Sequence, residues 1–194
     1  MCIRDRTTIE TGVRSDLKED GSGSVKFYYE YEGAKPLSTV NLKAVFPAGI
    51  SPEIRRCEGA GLLNIWFPPE GGYYTKGCVP GEVNTMEDGR TEIIFHLAPE
   101  TLEKFFPEDG DPRHLKFGYF PKVTGVEPGV DYEFSAEEYI DYQSTNTSLK
   151  EWHTENGFRG SNKTPIYDTN DGDNDPHTNV ISRSTDTDRV PFPR

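Results

Sequence analysis

The stretch Val25-Lys26-Phe27-Tyr28-Tyr29-Glu30-Tyr31-Glu32 decides the fold class. Val25, Phe27, Tyr29 and Tyr31 alternate with Lys26, Tyr28, Glu30 and Glu32, giving one apolar face and one mixed face. A period of two is the signature of a half-buried strand. The same alternation returns at Val40, Leu42, Ala44 and Phe46, and Pro47-Ala48-Gly49 then stops the strand. Ile54–Cys57, Leu62–Phe67, Tyr73–Lys76, Thr91–Leu97, His114–Phe120 and Tyr132–Tyr139 read as further strands, each bounded by Gly, Pro, Asp or Asn. Only Pro99–Phe106 reads as helical, with Pro99 in the first turn, Glu100 and Glu103 near its positive end, and Leu102, Phe105 and Phe106 on one side. Many short strands without alternating helices predict an all-β, antiparallel β-sandwich of about 7–8 strands with one short helix.

The chain of 194 residues suits one domain. It is only 33% hydrophobic, with a mean hydropathy of -0.72, yet 12% aromatic, so its apolar residues must be concentrated. Nearly all of them precede residue 142. The remainder, 143–194, is dominated by Ser, Thr, Asn, Asp, Gly, Pro and Arg and is expected to be a disordered acidic tail or linker, because such residues bury too little apolar area to offset chain entropy. Met1-Cys2-Ile3-Arg4-Asp5-Arg6 resembles a translated sequencing-adapter remnant, so residues 1–6 are set aside and the sandwich is placed over 7–142.

The net charge of -12 excludes nucleic acid as an expected partner, since phosphate binding needs a clustered basic stripe. No run approaches the ~20 apolar residues needed to cross a bilayer, so membrane insertion is not expected. The N-terminus carries no apolar signal-peptide core, which leaves either a cytosolic protein or one whose start lies upstream; the second is adopted. With Cys2 set aside, Cys57 and Cys78 form an even pair, read as a disulfide in an oxidising compartment; two unrelated buried thiols are the alternative.

The run Val123-Thr124-Gly125-Val126-Glu127-Pro128-Gly129-Val130-Asp131-Tyr132-Glu133-Phe134 resembles the loop-to-strand turn of fibronectin type III and related immunoglobulin-like sandwiches. The resemblance implies that Tyr132 is a structural tyrosine corner whose hydroxyl bonds back to the backbone. Phe46-Pro47-Ala48-Gly49-Ile50, then Cys57, then Cys78-Val79-Pro80-Gly81, resembles the immunoglobulin-like repeats of bacterial secreted and wall-attached proteins over roughly residues 25–140. That family implies a non-enzymatic structural or adhesive module at the cell surface or outside the cell. Surface polysaccharide, another surface protein and neighbouring domains of a longer chain are then the expected partners.

Candidate chemistry is sparse. Trp66, Tyr73 and Tyr74 are read as a ring platform for sugars, giving a carbohydrate-binding module as the alternative function; packing of the core is the competing role. Asp171, Asp173 and Asp175 have the 1-3-5 oxygen spacing of a calcium loop, but Pro176 and Ser182 stand where Gly and Glu are required, so a solvated linker competes. No other cofactor is expected. His96, His114, His153 and His177 show no zinc spacing, and no nucleophile elbow or phosphate loop is present. An accessory domain of a secreted hydrolase would need facing carboxylates, for which Glu137-Glu138 and Glu100 with Glu103 are the only pairs to test.

Overall fold

The computed structural model describes residues 6–33, 39–54, 61–67, 73–98, 100–101, 113–141, 163–167 and 180–194. Among them are thirteen strands: β1 Arg6–Leu17, β2 Ser22–Gly33, β3 Thr39–Phe46, β4 Ser51–Pro52, β5 Gly61–Phe67, β6 Tyr73–Val79, β7 Gly81–Thr85, β8 Thr91–Leu97, β9 Arg113–Tyr119, β10 Lys122–Thr124, β11 Asp131–Asp141, β12 Lys163–Tyr167 and β13 Val180–Arg189. All pairings are antiparallel. One sheet runs β12-β1-β2-β9-β5-β6, with β10 against β2 and β4; the other runs β13-β11-β3-β8-β7. The fold is the expected all-β antiparallel sandwich of two sheets.

Alternation decides what each strand buries. In β2 Val25, Phe27, Tyr29 and Tyr31 are all at or below 2% exposure, whereas Tyr28 is 40% exposed. From the facing sheet Val40, Leu42, Ala44 and Phe46 of β3 and Phe134 and Ala136 of β11 enter the same core. The aromatic rings interlock: Phe27 meets Phe46 across the sandwich at 5.3 Å, and Phe46 meets Phe134 on the neighbouring strand at 6.2 Å, both edge to face. Tyr29 is buried with its hydroxyl donating to the Lys43 carbonyl at 2.6 Å, so a core hydroxyl ties β2 to β3 without an unpaired polar atom.

Several expectations change. The strand count exceeds 7–8 because β1, β7, β10 and β13 carry too few large apolar residues to be noticed by hydrophobic alternation. Of the strand expected over Ile54–Cys57 only Ile54 is described: it follows β4, the two residues Ser51–Pro52, at 36% exposure, and 55–57 lie outside the described residues. Of Pro99–Phe106 only Glu100 and Thr101 are described; both are helical, with Thr101 N–H donating to Ala98 O at 2.9 Å, and the rest of the expected helix lies outside the described residues. Arg6, set aside with residues 1–6, pairs with Tyr167 at the start of β1.

The largest correction concerns the tail. Val180–Arg189 is a strand paired with β11 in unbroken register from Ile140↔Val180 to Asp131↔Arg189. Its inward face is polar rather than apolar, and that is why composition hid it. Among the described residues no strand pairs with the outer edge of β1 beyond Glu10, and β13 supplies side chains there. Asp186 Oδ2 accepts from Ser15 N–H and Ser15 Oγ, each at 2.7 Å. Asp188 Oδ2 accepts from Leu17 N–H at 3.3 Å, and Ser184 Oγ donates to Thr11 O at 2.8 Å. Ser182, fully buried, faces Thr11 Oγ1 at 3.2 Å. Val190 then enters the core, its carbonyl accepting from Gly129 N–H at 2.7 Å, and the Phe192 ring lies on Gly129, where a side chain would not fit.

Asp186→Ala removes both acceptor contacts to Ser15 and leaves its N–H without that partner. The expected cost is about 2 kcal/mol of unfolding free energy, read as a lower denaturant midpoint at unchanged slope. A change below about 0.5 kcal/mol would mean that water replaces the carboxylate at no loss.

Candidate binding face

The two outer faces of the sandwich differ in kind. On the outer face of the β13-β11-β3-β8-β7 sheet, charges are buried in a cross-strand row. Lys43 Nζ lies 2.6 Å from Glu92 Oε1 and 3.7 Å from Glu137 Oε2, and Arg183 Nε lies 3.7 Å from Glu137 Oε1. The register places Arg183 opposite Glu137 and Glu137 opposite Lys43, so positive and negative groups alternate across three strands. His96 Nδ1 stands 2.6 Å from Asn41 Oδ1 in the adjoining row. Each charge is matched by its neighbours, the arrangement expected of a structural network.

Glu138, next along β11, faces the interior and is fully buried. Adjacent strand residues serve opposite faces, so Glu137 and Glu138 cannot confront one substrate, and the carboxylate pair a glycosidase needs is not built here. Burial, with the Glu30 charge adding to it, pushes the Glu138 carboxyl well above its ordinary value. Neither of its oxygens has a hydrogen-bond partner in proper geometry, although the Glu30 backbone lies near enough to oppose the shift. Glu100 is exposed, and Glu103 lies outside the described residues.

The outer face of the other sheet is open and aromatic. Tyr28, 40% exposed, meets the Phe120 ring edge to face at 5.3 Å, and Phe120 meets Trp66 at 5.8 Å with the planes tilted by 51°. All three lie around Gly118, the one position where the strand leaves room: a Cβ there would sit 2.7 Å from Trp66 Cζ3. Trp66 and Phe120 are half-buried by this contact. Beside the rings Glu30 is held by Lys116 Nζ at 2.9 Å and His114 Nε2 at 3.1 Å. Burial raises the Glu30 carboxyl, but hydrogen bonds from Lys116 and His114 outweigh it and leave the group below its ordinary value.

Of the sequence-derived site residues, Trp66 stands on this open face. Tyr74 is opposite Trp66 in the ladder and Tyr73 opposite Phe67, one position along. Successive positions belong to opposite faces of a sheet, so the register joins Tyr74, and not Tyr73, to the Trp66 row. Tyr28 and Phe120 were missed; the signal was the mixed face of β2, where a tyrosine stands among charges. Cys78 is disulfide-bonded, while Cys57 lies outside the described residues. Asp171, Asp173 and Asp175 are also outside them, and among the described residues no cluster of three His, Cys, Asp or Glu could hold a metal ion. Tyr132, 4% exposed, accepts at its hydroxyl from Glu127 N–H at 3.0 Å, across the Pro128-Gly129 turn. No helix among the described residues is long and apolar enough to cross a membrane.

No family model matches the chain, and no curated protein matches it. Among solved structures it is similar to the collagen-binding domain of a Staphylococcus aureus adhesin, with 9% identity over 71% of this chain and 88% of that one, TM-score 0.35. It is similar to AvmM, which catalyses macrocyclization in alchivemycin A biosynthesis, with 13% identity over 96% and 90%, TM-score 0.38. The third is the collagen-binding domain of the Erysipelothrix rhusiopathiae surface protein RspB, with 9% identity over all of this chain and 52% of that one, TM-score 0.39. Two collagen-binding domains and one catalyst of macrocyclization share this likeness, so it does not choose a function.

The Glu138 carboxyl generates a pH prediction. Its folded-state pKa is raised, so its stabilising contribution is complete below the ordinary value of 4.5 and is lost as pH climbs toward the folded value. Over that window the unfolding free energy of the native protein should fall relative to Glu138→Gln by about 1.4 kcal/mol per pH unit. Parallel stability curves for the two proteins would show that the group ionises in the fold without penalty.

Proposed function

We propose that this chain is a non-enzymatic adhesive module of a secreted or cell-surface protein, and that the outer face of the β12-β1-β2-β9-β5-β6 sheet is its binding surface. The observation that carries the reading is Tyr28: a large ring 40% exposed, standing on the central part of a fully paired sheet and braced by Phe120. Rings fixed on a rigid sheet meet a ligand with little loss of side-chain entropy, which is how aromatic residues come to dominate binding surfaces. Antiparallel ladders on both sides of β2 hold its backbone in place.

Two classes of partner fit such a surface: a polysaccharide, whose pyranose faces stack on rings, and an extended surface protein. The Trp66 row beside Lys116 and Glu30 favours the first, since sugar hydroxyls need charged donors and acceptors next to the stacking ring. The disulfide at Cys78 supports an oxidising compartment, and Cys57 is the proposed partner.

The test is capture of the full chain on a panel of immobilised polysaccharides and matrix proteins, collagen included. Tyr28→Ala should weaken capture by about tenfold, the loss of one stacking contact worth about 1.4 kcal/mol, with the unfolding midpoint little changed. Equal capture of Tyr28→Ala and the native chain by every partner would overturn this choice of face. Thiol titration of the unfolded, unreduced chain should find Cys57 and Cys78 both blocked, and two reactive thiols at these positions would contradict the oxidising compartment.

A further inference from the structure

We infer that the ligand of this face is an anionic polysaccharide, its acidic group held by Arg14 and Lys26 while its sugar ring lies on Tyr28 across Gly12. The inference rests on the binding face proposed above and adds the chemical class of what binds there.

The register is the first ground. Arg14 and Lys26 are directly opposite each other on β1 and β2, and both are exposed on the outer face. Like charges opposed across a ladder repel and lower the stability of the pair. Among the described residues neither side chain has an ion-pair partner; Asp16, two positions along β1 from Arg14, stands opposite Ser24 rather than a cation. In a chain with a net charge of -12, two unpaired cations facing each other are the opposite of what solubility would select. At one other point on this sheet the positive charge is neutralised, where Lys116 and His114 close on Glu30.

Geometry supplies the second ground. The next row along the ladder is Gly12↔Tyr28↔Gly118. Gly118 is covered by Trp66 and Phe120, but Gly12 is not: a Cβ built there would meet only Tyr28 Cβ, at 3.9 Å. The Tyr28 ring therefore has a covered flank toward Trp66 and an open flank toward β1, bounded by the Arg14–Lys26 pair. A pyranose on that open flank would place a ring substituent at the two cations. Carboxylate and sulfate ester share the required chemistry, namely several oxygens and a negative charge able to accept from guanidinium and ammonium together.

The experiment is affinity electrophoresis of the full chain through gels containing polygalacturonate, dextran sulfate or unmodified dextran. Retardation by one or both anionic polymers and not by dextran is the expected result; polygalacturonate assigns a carboxylate ligand and dextran sulfate alone a sulfate ester. The double variant Arg14→Ser, Lys26→Ser should weaken that binding about tenfold or more, and added salt should weaken the native chain toward the variant. Gly12→Val, which has room to fold, should block binding at an unchanged unfolding midpoint. Undiminished binding by the double variant, or equal binding of dextran, overturns the inference; if Tyr28→Ala still weakens that binding, the face itself stands. Absence of binding to all three polymers also overturns it, and capture of a matrix protein sensitive to Tyr28→Ala would then keep the face with a different partner.

Discussion

A strand at the margin of a sheet leaves alternate N–H and C=O groups without a ladder partner, and among the described residues the outer edge of β1 beyond Glu10 is such a margin. The hydrogen bonds from Ser15 and Leu17 to the carboxylates of Asp186 and Asp188, with Ser184 donating to Thr11, satisfy that edge from the neighbouring sheet. Side chains thereby do what a further strand would do. The same contacts hold β1 against β13 along one side of the sandwich, and β1 in turn supports β2, whose inner face supplies Val25, Phe27, Tyr29 and Tyr31 to the core. Removing this seam would open the apolar core along a lateral edge and free the one neighbour that β2 has on the β1 side.

How much of this was readable from residues alone follows from which force formed each element. Where burial of large apolar groups drives a strand, alternation shows it: Val25–Glu32 and Thr91–Leu97 lie inside or coincide with observed strands. β13 is held by hydroxyls and carboxylates instead, and Ser-Arg-Ser-Thr-Asp-Thr-Asp-Arg has the composition of a disordered segment. Composition measures what a segment can bury, not what it can hydrogen-bond. The strand's period of two was present in the sequence, but in polar residues, to which a hydrophobic template is blind.

The candidate site divides the same way. Trp66 announced itself as a rare, large ring, whereas its surroundings depend on long-range register. Nothing local shows that Gly12 and Gly118 flank Tyr28, since they are separated from it by 16 and 90 residues of chain and meet it only through the β1-β2 and β2-β9 ladders. The opposed cations Arg14 and Lys26 are likewise distant in sequence and visible only once β1 is known to be a strand. Polar seam and open face are thus linked: β1 carries the Asp186 contact on its margin, through Ser15, and presents Gly12 and Arg14 on its outer surface.

Hydrogen exchange of the Ser15 amide in the native full chain tests that account most directly. An amide that donates to a carboxylate at 2.7 Å within a seam essential to the sandwich should exchange only by cooperative unfolding, with the same opening free energy as core amides such as that of Phe27. Exchange of Ser15 at the rate of an unstructured peptide, while Phe27 stays protected, would mean that β13 is not docked on β1 and that the sandwich closes without it.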